Sequence, residues 1–460
     1  MEITDFAEQK LIKFEEIELS GFGKYPKAKC RLTWPASIEA IKECLEEDSI
    51  TPRGLGRSYG DASLNDEGYV AESLLMNRFL AFDETTGIIR CEAGVSYKDL
   101  LDTFVLRGWF PPVTPGTKYV TLGGAIASDV HGKNHHKAGS ISNYVRNFKI
   151  LTASGEVLEC SREENSDLFW ATVGGMGLTG FILECEIQLK KITSPYIYNK
   201  AIKLKNIHEL FDKIEEYDEG YHYSVAWIDV VASGSSYGRS VLLLGNYADI
   251  NDLPEKLKKK SLEKYIEKKI AVPFEIPFSS LNKLTVSLFN AGIYMTAKNR
   301  EDFQHYDKYF YPLDFVLDWN HIYGKSGLIQ YQLNVPEEKG KEAIDKVLQK
   351  VVAFGGGSFL AVIKKMGDQE GILSFPFKGF TLSMDFPVKR GTIEMCKELD
   401  KIVLEYGGRT YLTKDSILDE ATFKQMYNGR WQKWMDIKVK YDPKNKFSSN
   451  LGRRIGLCPS

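Results

Sequence analysis

The sequence predicts an α+β fold, with a glycine-looped first domain followed by a domain built on an antiparallel sheet. Three observations carry this. The first part of the chain holds three glycine-rich loops, at 54–60, 115–128 and 174–180, separated by helical and strand-like runs. Near residue 193 the pattern changes: strand-like SYGRSVLLLG, GLIQYQLNVP and GFTLSMDFPV are interleaved with amphipathic KEAIDKVLQKVV and IEMCKELDKIVLEYG, the mixture expected of helices on an antiparallel sheet. The composition, 43% apolar and 27% charged over 460 residues, excludes disorder, collagen and coiled-coil rods.

Each element has a local reason. Residues 37–47 place Ile38, Ile41 and Leu45 on one helical face behind a Ser37 cap. Residues 96–107 repeat the device, with Ser96 as cap and Leu100, Leu101 and Phe104 inward. FKILTASGEVLEC reads as a hairpin around Ser154-Gly155. Asn165-Ser166-Asp167 opens a short helix that ends in GGMGLTG, before the strand FILECEIQLKKI. In the second domain a two-residue period puts Gln330, Gln332 and Asn334 on one strand face and Ile329, Tyr331, Leu333 and Val335 on the other. Thr381, Ser383 and Asp385 oppose Phe380, Leu382, Met384 and Phe386 in the same way. Such a polar face either meets water or supplies hydrogen bonds to a ligand. The lysine-rich run 255–269 reads most simply as a solvated helix or a mobile insertion; a basic segment of this kind could also touch an anionic membrane.

Lys plus Arg (60) nearly balances Asp plus Glu (62), a net charge of −2, which argues against a nucleic-acid coat. The seven scattered cysteines read as reduced thiols. The acidic N-terminus has no apolar leader core, and charge-free stretches such as 351–363 are too short to span a bilayer. Together these predict a cytoplasmic protein.

The 54–60 loop is no Rossmann fingerprint, because it runs into turn material (DASLNDEG) where that motif needs a helix. Alone it would be a turn. Three such loops, whose small residues let backbone N–H groups converge on phosphate oxygens, suit a long phosphate-bearing ligand. A metal held by His131 and His135 would need a helix between them, which Gly132 and Asn134 oppose, and no third ligand is identifiable, so no metal is expected.

PRGLGRSYGD, PGTKYVTLGGAIASDVHGKNHH and FWATVGGMGLTG resemble the FAD-binding domain of the vanillyl-alcohol oxidase/p-cresol methylhydroxylase superfamily. GGAIASDVHGKNHHKAGS is similar to its decaprenylphosphoryl-β-D-ribose oxidase branch, and WNHIYGKSGLIQYQLNVP, DFPVKRG and GGRTYLTKDS extend the resemblance over nearly the whole chain. The resemblance implies a two-subdomain FAD-binding domain (1–192), a substrate-binding cap with an antiparallel sheet (193–408), and a C-terminal return to the first domain (409–460). FAD would lie on Pro52, Arg53, Gly54, Leu55, Gly56, Arg57, Ser58, Tyr59 and Gly60. It would also meet Pro115, Gly116, Thr117, Thr121, Leu122, Gly123, Gly124 and Ser128, then His131, Gly132, Asn134 and Tyr411. Related oxidases often carry, at position 57, a histidine bonded to the flavin; arginine cannot form that bond, so FAD is expected to be held non-covalently.

The implied activity is oxidation of the C2 hydroxyl of a polyprenyl-phosphoryl-β-D-ribose by hydride transfer to flavin N5, the first half of epimerisation to the arabinose form used in cell-wall polysaccharide. An NAD(P)H-dependent short-chain reductase would complete it, and the lipid-linked substrate implies peripheral membrane contact. The alternative is a sugar-alcohol or aldonolactone oxidase using the same flavin chemistry. The catalytic set carried over is Lys414, His131 and Tyr59, with Lys414 either accepting the hydroxyl proton or stabilising developing charge. The substrate set is Gln330, Gln332, Ser383, Asp385, Trp227 and Lys133. Ser383 stands where the mycobacterial branch has cysteine, and Thr381 where it has asparagine.

Overall fold

The computed structural model describes residues 10–266, 268–275, 282–355 and 358–458. The fold is α+β, and its first domain has two subdomains. One is a four-stranded sheet in the spatial order Glu15–Ser20, Lys27–Thr33, Tyr69–Glu72, Ile50–Arg53. The other is a five-stranded antiparallel sheet in the order Phe79–Asp83, Ile88–Glu92, Phe181–Gln188, Val145–Leu151, Val157–Ser161. The expected caps form: Ser37 accepts from Ala40 N–H, and Ser96 closes a reciprocal capping box with Asp99, which satisfies donors a helix start leaves free. The second helix ends at Phe104 and tightens to a 3-10 turn over Val105–Arg107. The expected hairpin pairs Val145–Leu151 with Val157–Ser161.

The cap is one eight-stranded antiparallel sheet. Its order is Arg300–His305, Tyr196–Leu204, Ser240–Tyr247, Tyr223–Ile228, Ala361–Met366, Gly379–Pro387, Leu328–Pro336, Arg409–Thr410. The helices Ile207–Tyr217, Glu337–Phe354 and Thr392–Glu405 cover one face, burying Ile329, Tyr331, Leu333, Phe380, Leu382 and Met384 with Ile344, Leu348 and Leu399 in a single core. In the register Gln330 stands opposite Asp385, Gln332 opposite Ser383 and Asn334 opposite Thr381. The polar faces read from the sequence are therefore one surface, and they are buried.

Beyond Thr410 the chain runs back to the first domain. Trp434, in the helix Arg430–Tyr441, donates its indole N–H to Ala171 O (2.8 Å), and Ile50 N–H donates to Lys446 O (2.7 Å). Arg409–Thr410 still pairs with Leu333 and Asn334 in the cap sheet. The 255–269 run holds a short exposed helix, Glu255–Lys260. Among the described residues no helix is long and apolar enough to cross a membrane, and no cluster of three or more His, Cys, Asp or Glu side chains is placed to hold a metal.

Candidate active site

A cavity of about 390 Å³ lies between the glycine loops and the polar face of the cap sheet. Pro52 to Tyr59, Pro115 to Thr117, Thr121, Gly123, Gly124 and Ser128 line its first-domain side, and Gln330, Gln332, Lys364 and Ser383 its cap side. His131, Gly132, Lys133, Tyr411 and Lys414 complete the wall.

The loops have the chemistry of an anion cradle. The N–H groups of Leu55, Gly56, Arg57 and Ser58 make no hydrogen bond to any described residue, although this loop lines the cavity. Successive free donors of this kind make a nest for phosphate. Two glycines are sterically required. A Cβ at Gly54 would lie 2.2 Å from Thr121 Oγ1, and Gly56 has φ +62° with a Cβ position 2.1 Å from Arg53 Nη2. Arg53 also lines the cavity, with its guanidinium paired with Glu72 (3.3 Å) and bonded to Ser63 and Ser20 O. Arg57, half-buried on the wall, packs its guanidinium over Phe22 (5.1 Å) and Tyr119 (5.4 Å).

The chemical groups converge opposite the loops. Lys414 Nζ sits 3.9 Å from the centre of the Tyr59 ring. Desolvation pulls its pKa down to about 7, with Asp385 opposing and Lys364 adding to the shift. Burial likewise lowers Lys364 to about 8 and Lys133 to about 7, and raises Asp385 to about 7. Lys133 donates to Tyr309 O. Three half-buried lysines on the wall, against one buried carboxylate behind Gln330, make the cavity a site for an anion.

The Gln330 amide donates to Asp385 Oδ1 (2.6 Å). The Gln332 amide donates to His131 Nε2 (3.0 Å) and Thr381 Oγ1 (3.1 Å), and the Thr381 hydroxyl donates to Leu333 O (2.7 Å). With Nε2 accepting, the His131 ring proton is on Nδ1, a buried atom with no hydrogen-bond partner among the described residues. Burial holds the His131 pKa well below its ordinary value, so the ring is neutral. Tyr411 donates to Ser128 O (2.8 Å) and its ring lies 5.2 Å from that of His131.

Five residues chosen from the sequence lie off the cavity wall. Gly60 packs against Asp415, where a Cβ would meet its carbonyl at 1.8 Å. Leu122 points into the first-domain core, and its N–H donates to Val95 O. Asn134 is turned to Pro112 O (2.9 Å) and His222. Trp227 lies beyond Val225 on its strand and donates its indole N–H to Phe359 O (3.1 Å). Asp385 stands behind Gln330 and reaches the cavity through it. Lys364 was not read from the sequence; its pairing with Thr381 puts it on the polar face beside Val362.

Residues 32–161 match a family model for an FAD binding domain, and residues 372–455 match one for D-arabinono-1,4-lactone oxidase. The chain is 37% identical to decaprenylphosphoryl-β-D-ribose oxidase of Mycolicibacterium smegmatis, over 91% of this chain and 92% of that protein. It belongs to the decaprenylphosphoryl-β-D-ribose oxidase family. More distant relatives share less: L-gulonolactone oxidase of Bos taurus is 30% identical over 34% of this chain and 36% of its own length. D-lactate dehydrogenase of Anaerostipes hadrus is 25% identical over 44% of this chain and 45% of its own length. The chain is an FAD-dependent oxidoreductase of CH–OH groups. The free N–H groups, the glycines that no side chain can replace and the cationic cavity all fit FAD.

Proposed function

We propose that the chain oxidises the C2 hydroxyl of a polyprenyl-phosphoryl-β-D-ribose to the 2-keto sugar. The observation that carries this is the polar face of the cap sheet closed over the glycine loops: Gln330 and Gln332 offer amides to sugar hydroxyls within reach of Lys414. FAD, when bound, supplies the two-electron acceptor. The Lys414 amine, populated near neutral pH because burial disfavours the ammonium, takes the hydroxyl proton as the carbonyl forms. The Tyr59 ring fixes the amine's position and shields it from water, while neutral His131, oriented by Gln332, offers Nδ1–H as a hydrogen-bond donor. Lys133 and Lys364 leave the site positive, which favours an anionic cofactor and a phosphorylated sugar.

The keto product requires a separate reductase, of the NAD(P)H-dependent short-chain type, to return it as the arabinose epimer for cell-wall arabinan. The match of residues 372–455 to the arabinonolactone oxidase model favours a second reading, an oxidase of free aldonolactones or sugar alcohols. Anaerobic mixing of the holoenzyme with lipid-linked ribose, free pentoses and aldonolactones separates the two. Bleaching of the flavin by the lipid-linked ribose, with a product two hydrogens lighter, is the expected result; bleaching by a lactone alone overturns the proposal.

A further inference from the structure

Gln332 has a direction as well as a place. Thr381 is fully buried, and its hydroxyl proton is committed to Leu333 O (2.7 Å). The Thr381 oxygen can therefore only accept from other groups. Gln332 meets it with Nε2 (3.1 Å), and the same nitrogen lies 3.0 Å from His131 Nε2. An amide nitrogen carries two hydrogens, and these two acceptors take both. Turning the amide over would set its carbonyl oxygen against the Thr381 oxygen, two acceptors face to face with no hydrogen between them.

The lock acts at both ends of the amide. On one side it sets the His131 tautomer, since Nε2 must arrive bare in order to accept. On the other it leaves Gln332 only its Oε1 to offer the cavity that the residue lines, and among the described residues no group donates to that oxygen. Gln330, on the same strand face, gives its amide N–H to Asp385 Oδ1 (2.6 Å) and so turns its carbonyl away from the carboxyl. A carbonyl oxygen pairs with a hydroxyl and rejects a fluorine or a second carbonyl, which bring no hydrogen to it.

We propose that Thr381 is a positioning residue: it fixes Gln332 as a hydrogen-bond acceptor, so that the site selects a sugar presenting a donating hydroxyl to the cap face. Thr381 lies off the cavity wall and acts through Gln332 and, by the same amide, through His131. The sugar selection rests on the ribosyl substrate proposed above; the effect on His131 does not.

The first readout is nitrogen–proton NMR of the FAD-loaded enzyme labelled at its histidine ring nitrogens. His131, assigned by the signal lost in His131→Gln, should be protonated on Nδ1. Thr381→Val keeps the side-chain shape but cannot accept, so the amide is free to turn, its carbonyl accepts from the ring, and the His131 proton should move to Nε2. Thr381→Ser should keep it on Nδ1. The second readout is binding, followed by the flavin spectrum, of an isoprenyl-phosphoryl-β-D-ribose and of analogues with each sugar hydroxyl in turn replaced by fluorine. On the native chain at least one analogue should bind about tenfold or more weakly than the parent. Thr381→Val should shrink that gap to about threefold or less while the parent's affinity changes little, because a hydroxyl suits either end of an amide. Thr381→Ser should restore the gap. A native His131 protonated on Nε2, a native chain indifferent to fluorine at every position, or a Thr381→Val chain that weakens every sugar alike overturns the proposal. The native spectrum and the native fluorine series decide it even where Thr381→Val does not fold. If the parent sugar does not bind, the proposed substrate falls, and the position of the His131 proton still decides the lock.

Discussion

Replacing Lys414 by alanine removes an amine that sits both on the cavity wall and over Tyr59. An ordinary lysine, with a pKa of about 10.4, is deprotonated in roughly one molecule in 2,500 at pH 7. With its pKa lowered to about 7, about one Lys414 in two is a free base at that pH. The surroundings thus raise the concentration of active base by about a thousandfold, and the variant forfeits that base. Flavin reduction, followed by anaerobic stopped flow, should slow about 100-fold or more. FAD should stay bound, because the glycine loops and not Lys414 offer the free N–H groups that suit its phosphates. In the native chain the reduction rate should rise about tenfold per pH unit below 7 and level off above it, since only the deprotonated amine accepts a proton. Lys414→Arg should not restore the rate, because arginine keeps its proton. Reduction at the native rate by Lys414→Ala, with FAD fully bound, would refute the reasoning and leave His131 as the base.

Three further outcomes follow from the same geometry. Denaturation and filtration should release all the flavin as FAD, since Arg57 stands where an attaching histidine would be; flavin retained by the precipitate contradicts this. All seven cysteines are buried, and Ser383 lines the cavity. Turnover with a nitro-benzothiazinone should therefore leave the native chain without an adduct, and Ser383→Cys should gain one by mass spectrometry; an adduct on the native chain refutes the assignment. Arg454 bonds Asp61 (2.6 Å), Asp415 (2.8 Å) and Leu418 O (2.6 Å), so Arg454→Met should destabilise the fold by about 3–5 kcal/mol by leaving two buried carboxylates uncompensated. Asp61 is already held above the usual carboxylate range by burial. A carboxyl raised in the folded state contributes stability at low pH that is lost as pH rises through its folded pKa, so the deficit should be larger at about pH 8 than at about pH 5 in urea titrations. A pH-independent deficit counts against the pair.

Strand periodicity made Gln330, Gln332, Thr381, Ser383 and Asp385 legible as one-sided sets, because alternation is a local property. That both sets face the glycine loops was not legible: it depends on their mutual pairing and on which face the helices cover. Lys364 was missed for the same reason. It stands next to Lys365 in a short strand, and only the register with Thr381 decides which of the two faces inward. Residues 122 and 134 fail differently, since their motif includes positions that hold the loop together through Val95 and Pro112.

The junction between the two ends of the chain has a consequence for how the enzyme is made. Tyr59 N–H donates to Thr413 O (3.0 Å), and Gly60 packs on Asp415. Joining positions so far apart costs roughly 5 kcal/mol of chain entropy, and contacts of such long range form late. During synthesis the stretch around Lys414 emerges after the whole cap. The glycine loops, made first, therefore wait for Lys414 while the cap folds, and the proposed base joins the site last. A nascent chain can hold the parts of a cradle long before it can do chemistry.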